Sequence, residues 1–274
     1  MALASGAALR AKLFESVNAN KQLDAIEAEL TRFRAARLNE PACFIAGTLI
    51  HIRDGLRPIE EIKVGDWVLS KPEDGTGERS YKRVTRTFVH ESNNIWLMKA
   101  RYRFTDPAEF HRAAGAGEID AEKYYVNEID GEKWCLGAET LGVTGEHPFF
   151  TKEKGWVAAA DLGWGTHLEM ANGDFTENIG THPFQIYQSE TPNLGWAPRE
   201  PGKDGGGWIV EFGAAGLNLE NHMFPQKTKY DERGFVASMV RTVYNFEVED
   251  SHTYYVGQVG LWVHNTKFVP INDG

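Results

Sequence analysis

Three short stretches, far apart in a chain of 274 residues, hold residue types that can do covalent chemistry. The first is Cys43-Phe44-Ile45-Ala46-Gly47-Thr48-Leu49-Ile50. The second is Gly142-Val143-Thr144-Gly145-Glu146-His147-Pro148-Phe149. The third is Val243-Tyr244-Asn245-Phe246-Glu247-Val248, followed by Leu261-Trp262-Val263-His264-Asn265-Thr266. Singly, each is weak: a lone cysteine among strands is usually a small buried hydrophobe, and a histidine before Pro-Phe is an ordinary turn residue. Together they offer two nucleophiles. A thiolate is the strongest nucleophile among ordinary side chains, yet at a free pKa of ~8.5 only a few per cent is ionised at neutral pH. Cys43 can attack the carbonyl of Ala42 through a five-membered ring and convert that amide into a thioester. The Asn265 side-chain amide can attack its own backbone carbonyl, closing a succinimide and breaking the Asn265-Thr266 bond. Glutamine would close a less favourable ring, and aspartate is a poor nucleophile as its carboxylate. His264 is adjacent and suited to protonating the departing amine of Thr266.

In this order the three stretches resemble the Hint superfamily: inteins, bacterial intein-like domains and the autoprocessing part of hedgehog proteins. The resemblance runs from Cys43 to Asn265, is strongest at the ends and around His147, and finds no support inside residues 172–235. Trp156-Val157-Ala158-Ala159-Ala160-Asp161-Leu162 looks like the family's continuation after His147. The lack of a homing-endonuclease motif, and Val-Tyr-Asn-Phe in place of Val-Tyr-Asp-Leu, are similar to the Hint domains of bacterial polymorphic toxins. The resemblance implies an all-β, horseshoe-like fold with both junctions in one cleft, and a single self-cleavage without a cofactor. It implies that Thr144 and His147, the Thr-x-x-His element, deliver a proton to the leaving nitrogen of Cys43, worth ~10²–10⁴ in rate, with the Thr144 hydroxyl available to the oxyanion. Asn245 stands at a tuning position where many inteins carry Asp. It cannot exchange a proton, which puts coordination between the two cleavages in question. His252 matches a histidine of that block and either takes over part of the role or faces solvent in a turn. Thr266 can attack the thioester through its hydroxyl and splice. As a β-branched secondary alcohol it is a weaker nucleophile than cysteine, so cleavage is expected over ligation.

These residues must be positioned by strands. The first forty residues carry helical stripes (Leu9, Leu13, Phe14, Val17; Leu23, Ile26, Leu30, Phe33) that end before Pro41. Residues 1–42 are therefore expected to be a short helical N-terminal extension, the remnant of an upstream polypeptide. From Cys43 the texture is strand and turn: strands are expected at 48–52, Trp67–Ser70, 82–90, 95–98, 124–126, 235–248, Thr253–Val256 and Leu261–His264, with a hairpin-type turn at Asp54-Gly55. Helical periodicity is nearly absent beyond 43, apart from a possible turn around 107–115, so the domain over 43–265 is expected to be all-β. Two segments read as insertions, 103–122 and the Gly-, Pro- and Asn-rich 172–235. There is no internal repeat and no low-complexity tract. Residues 266–274 form a C-terminal extension, and the resemblance places the cargo, a toxin domain, beyond it.

Composition excludes several classes. With 29 Lys+Arg against 39 Asp+Glu and a net charge of −10, the chain is a poor binder of phosphate backbones, so no nucleic-acid partner is expected. No apolar run reaches the ~18–20 residues of a membrane span, and no secretory signal opens the chain. The expected location is cytoplasmic as synthesised and, by the resemblance, within a secreted or delivered bacterial toxin. Cys43 and Cys135 make no disulfide framework; a reducing compartment fits, with a single bridge left open. Cys135, beside Trp134, reads as structural. His51, His90, His111, His167 and His222 stand singly, so no metal site is expected. Thr181-His182-Pro183-Phe184 repeats the His-Pro-Phe wording without the Thr-x-x-His spacing. The expected partners are the chain's own flanking polypeptides, an upstream scaffold and a downstream cargo, with the chain itself a monomer. Two other functions stay open. A cysteine hydrolase acting in trans through Cys43 and His147 leaves His264-Asn265 without a role, and an inert Hint spacer uses none of these residues. A hedgehog-like lipid transfer fits the His-Asn ending least.

Overall fold

A computed structural model describes residues 41–104, 125–129, 132–178, 184–190, 193–198, 207–213, 216–222, 229–230, 232, 234 and 237–265. The chain divides into two units, Met1–Glu40 and Pro41–Gly274. The helical stripes expected in the first unit, the turn expected around 107–115, His111, the His182 decoy and Thr266 lie outside the described residues.

The described part of the second unit is all-β. Its helical elements are 3-10 turns such as Ile59–Glu61 and Ala159–Asp161. A large antiparallel sheet of sixteen strands is joined by a four-stranded sheet made of Tyr187–Gln188, Leu194–Pro198, Gly207–Gly213 and Gly216–His222. The segment 172–235, expected as a turn-rich insertion, therefore builds a sheet of its own. Its first part also joins the main sheet, through Phe175–Asn178 and Phe184–Gln185.

Three pairings bring the chemically interesting stretches together. Phe44–Ile45 is flanked by Val240–Val248 on one side (Phe44 opposite Tyr244) and by Glu132–Val143 on the other (Phe44 opposite Val143). The hairpin Thr253–Val256/Leu261–His264 lays Val263 against Phe149 of Pro148–Thr151 and Val256 against Ile50 of Leu49–Ile52. Every residue of this hairpin's two strands is buried. It reads as apolar on both faces because both faces are covered.

The main core gathers Phe44, Ile50, Val68, Phe149, Phe246, Tyr254 and Val263. A second apolar cluster joins Cys43 and Ile45 to Ile95, Leu97, Ile186, Val210, Met239 and Val243. Ile186 and Val210 belong to the segment 172–235, so that segment helps to wall the surroundings of Cys43 from water.

The structure also contains a repeat that the sequence does not display. Leu49–Ile52 pairs with Gly55–Pro58, turns through Ile59–Glu61 and leads to Trp67–Ser70. One hundred positions on, Pro148–Thr151 pairs with Gly155–Ala158, turns through Ala159–Asp161 and leads to His167–Glu169. The bracing hydrogen bonds correspond: Ile59 N–H to the Thr48 carbonyl and Ala159 N–H to the His147 carbonyl, both 2.8 Å; Gly65 N–H to Val84 (2.9 Å) and Gly165 N–H to Asn178 (2.8 Å). Few side chains are shared: Ile62 and Leu162, and Val68 and Leu168, are buried apolar pairs. Ile59 faces Ala159 across the comparison and Asp66 faces Thr166, while Gly65 and Gly165 coincide because both hold a positive φ (95° and 74°).

Candidate active site

Residues 144–147 close a turn, His147 N–H donating to the Thr144 carbonyl at 3.2 Å. This explains the Thr-x-x-His spacing: the first and fourth residues of a turn stand side by side. Gly145 inside it is forced by contact, since a Cβ there would lie 2.8 Å from Trp96 Nε1. Pro148 holds His147 extended and starts the next strand.

Thr144 grips Cys43. Its Oγ1 accepts the Cys43 N–H at 2.9 Å and donates to the Cys43 carbonyl at 3.3 Å, and its own N–H donates to that carbonyl at 3.0 Å. The hydroxyl thus sits on the nitrogen of the Ala42-Cys43 bond. The Ala42 carbonyl itself accepts from Asn245 Nδ2, at 2.5 Å. The same Nδ2 donates to the Asn265 carbonyl at 2.6 Å. Asn245 Oδ1 accepts from Phe246 N–H at 2.7 Å and from the Tyr254 hydroxyl at 2.8 Å.

Cys43 is a free thiol and 1% exposed, and burial pushes its pKa up to about 12. His147 is fully buried between aromatic rings, with Phe44 at 4.1 Å and Phe149 at 5.9 Å between centroids. Among the described residues, neither ring nitrogen closes a well-formed hydrogen bond. Burial, and next His264, bring its pKa down to about 3, against a smaller upward pull from the Ala42 backbone. Tyr254 is held well above its ordinary value by burial and by the neighbouring Cys43.

At the other junction Asn265 is buried, and neither polar atom of its side-chain amide has a hydrogen-bond partner among the described residues. A buried polar group left so costs about 1–3 kcal/mol, and an amide free of hydrogen bonds keeps its nitrogen available for attack. Its backbone N–H donates to the His252 carbonyl at 2.8 Å. That bond follows from the hairpin register, Thr253 opposite His264, and from the left-handed conformation of Asp250 and His252 (φ 62° and 54°). His252 therefore reaches this junction through its backbone, and its partly buried ring lies 6.5 Å from that of His264.

His264 Nε2 meets Glu73 Oε2 at 2.8 Å, with the Trp156 ring edge-on at 5.2 Å. Trp156 Nε1 donates to the Glu73 carbonyl at 3.0 Å and so pins the loop that carries the carboxylate.

No family model and no curated protein matches the chain. Among solved structures, it is similar to a bacterial intein-like domain from Clostridium thermocellum, at 24% identity over 83% of this chain and 100% of that one, TM-score 0.44. It is also similar to a DnaB intein from Synechocystis sp. PCC 6803, at 11% identity over 82% of this chain and 99% of that one, TM-score 0.41. The gp41-1 intein matches at 13% identity over 82% of this chain and 100% of that one, TM-score 0.39.

Of the residues singled out by the intein-like motifs, Ala42, Cys43, Thr144, His147, Asn245, His264 and Asn265 come together, and His252 joins them through its carbonyl. Sequence reasoning missed Glu73 and Tyr254. Glu73 lies in a polar loop with no motif, and Tyr254 reads as one more strand aromatic. Two of the solitary histidines have partners: His51 Nε2 meets the Gly257 carbonyl at 2.9 Å, and His167 Nδ1 meets Glu153 at 2.5 Å. Among the described residues no group of three or more His, Cys, Asp or Glu is arranged to hold a metal ion, and no helix is long and apolar enough to cross a membrane.

Proposed function

We propose that this chain is a Hint-type self-processing domain that breaks its own backbone, each junction once. The observation that carries the reading is the meeting of the Ala42 and Asn265 carbonyls, 223 positions apart in sequence, on one amide nitrogen at 2.5 and 2.6 Å. Residues so distant share a donor only if the fold is built to hold both junctions together.

At the upstream junction the Cys43 Sγ–C bond forms as the Ala42-Cys43 C–N bond breaks, and the thiol proton ends on the Cys43 nitrogen. Thr144 holds the Cys43 N–H through Oγ1, and neutral His147, whose ring lies against the Ala42 backbone, carries the proton to the nitrogen. At the downstream junction the Asn265 Nδ2–C bond forms as the bond to Thr266 breaks. One Nδ2 proton passes to the departing amine with His264, oriented by Glu73, as carrier. The products are a thioester that water or a thiol resolves, a succinimide, and the released polypeptide after Asn265. That cargo is a toxin domain in the polymorphic-toxin reading. A diffusing acyl substrate has no support, because Cys43 is 1% exposed.

The test is intact-mass spectrometry of the purified 274-residue chain over hours, with and without dithiothreitol. Fragments 1–42, 43–265 and 266–274 are expected, the middle one lighter by one water where Asn265 has cyclised. Cys43→Ala should abolish the upstream cut and leave the downstream one, and Asn265→Ala the reverse. A single unchanged mass in every condition would refute the reading in favour of an inert spacer.

A further inference from the structure

We propose that the Asn245 side-chain amide is the oxyanion donor for both backbone cleavages, one N–H assigned to the Ala42 carbonyl and the other to the Asn265 carbonyl. The inference rests on the self-processing reading above and adds to it how the two reactions are stabilised and linked.

A primary amide nitrogen carries two hydrogens, and both acceptors are present on it, at 2.5 and 2.6 Å. The orientation of the amide is fixed by its surroundings. Phe246 N–H can only donate, and it points at Oδ1 from 2.7 Å. The Tyr254 hydroxyl reaches the same oxygen at 2.8 Å. Turning the amide over would face Oδ1 to two carbonyl oxygens and Nδ2 to the Phe246 N–H, losing three hydrogen bonds at once. The group is buried, 6% exposed, in company with Tyr254 at 0%. Donors held in place away from water are the arrangement that stabilises a developing oxyanion most. In both reactions the carbonyl oxygen takes up negative charge while the tetrahedral intermediate lasts and returns it when the C–N bond breaks, so each N–H strengthens in the state that matters.

This gives asparagine a use that aspartate cannot have here. A carboxylate at 245 would set negative oxygen against both carbonyl oxygens. A protonated acid would have a single hydrogen and serve one junction at most. Asn245 is therefore the residue that touches both reacting carbonyls, and Tyr254 is a positioning residue that holds the amide.

The experiment separates the junctions in the full-length chain. Upstream thiolysis is timed in the Asn265→Ala background, and asparagine cyclisation is timed in the Cys43→Ala background, where no thioester forms. Each background is made with Asn245, Asn245→Asp, Asn245→Ala and Tyr254→Phe. Both changes at 245 should slow both junctions by roughly 10²–10³-fold, the usual cost of losing one such donor. Tyr254→Phe, which leaves the donors but loosens them, should slow both by roughly tenfold. Thermal unfolding identifies any variant that has not folded, and Tyr254→Phe, the gentlest change, then carries the test alone. If folded variants keep either junction within about threefold of its background, or if Asn245→Asp speeds either one, the shared donor is wrong while self-processing stands. If neither background cleaves with Asn245 intact, the self-processing reading fails and takes this inference with it.

Discussion

Burial dictates the pH behaviour of the upstream junction. Cys43, pushed up from 9.0 to about 12, is about a thousandfold less ionised at pH 7 than an unburied thiol, a difference of roughly 4 kcal/mol. His147, pushed down to about 3, is neutral near and above neutral pH, and Tyr254 holds its proton well above its ordinary value. Neither His147 nor Tyr254 changes its charge between about pH 5 and 10, and the proton leaving Cys43 moves within the site instead of into bulk water. The rate of upstream cleavage in Asn265→Ala, read by mass spectrometry at saturating thiol so that the acyl shift limits, should therefore vary by less than about threefold across that range. A tenfold rise per pH unit would refute the reasoning, because it would mean that bulk base reaches the thiol. A step centred at the ordinary histidine value of 6.5 would mean that His147 is solvated.

Other outcomes follow from the same contacts. Thr144→Val keeps the branched shape but removes the acceptor of the Cys43 N–H; upstream cleavage should fall about 10²-fold while cyclisation in Cys43→Ala is unchanged, both by mass spectrometry. Glu73→Ala removes the carboxylate on His264 Nε2; asparagine cyclisation should slow roughly tenfold, with thiolysis upstream untouched. His147 links acid to unfolding. Its pKa is 6.5 when free and about 3 when folded, so its contribution is complete above pH 6.5 and is lost as pH falls towards 3, at roughly 1.4 kcal/mol per unit. Urea midpoints compared at pH 7 and about pH 4.5 should fall more steeply for the parent than for His147→Gln.

Much of the fold was legible because strands leave a local trace. Trp67–Ser70, Thr253–Val256 and Leu261–His264 were readable to the residue from β-branched and aromatic runs bounded by glycine and polar turns. Glu132–Val143 was not: its sequence Glu-Lys-Trp-Cys-Leu-Gly-Ala-Glu-Thr-Leu-Gly-Val has neither alternation nor a continuous apolar run, and its pairing with Trp96–Phe104 makes it a strand. The strand Ser80–Asn94 outruns the alternating stretch 82–90 because Val240–Val248 pairs along it as far as Asn94. The four-stranded sheet inside 172–235 was hidden by its glycines, which read as turns although Gly195 is there because Ile186 would stand 2.3 Å from a Cβ.

The site divides in the same way. Nucleophiles are legible because their chemistry demands a residue type: thiol at 43, amide at 265. Supporting groups are not, because any side chain of suitable reach can supply a hydrogen bond, and only the tertiary register chooses it. Glu73 reaches His264 across 191 positions, and Tyr254 reaches Asn245 from the neighbouring hairpin. Asn245 was visible in the sequence, but as a loss, since it cannot do the proton chemistry of an aspartate.

The structure turns that loss into an argument about how such a site can work. Neither nucleophile is activated by ionisation: burial keeps Cys43 a thiol, and a carboxamide nitrogen at 265 has no accessible anionic form near neutral pH. A residue that tuned a proton would have little to act on at either junction. Fixed N–H donors on the two carbonyls act where both reactions do develop charge, on oxygen, and they need no ionisation of the nucleophile to do so. In the proposed mechanism, then, a neutral amide at 245 matches two neutral nucleophiles, and the asparagine is the residue this particular pair of reactions calls for.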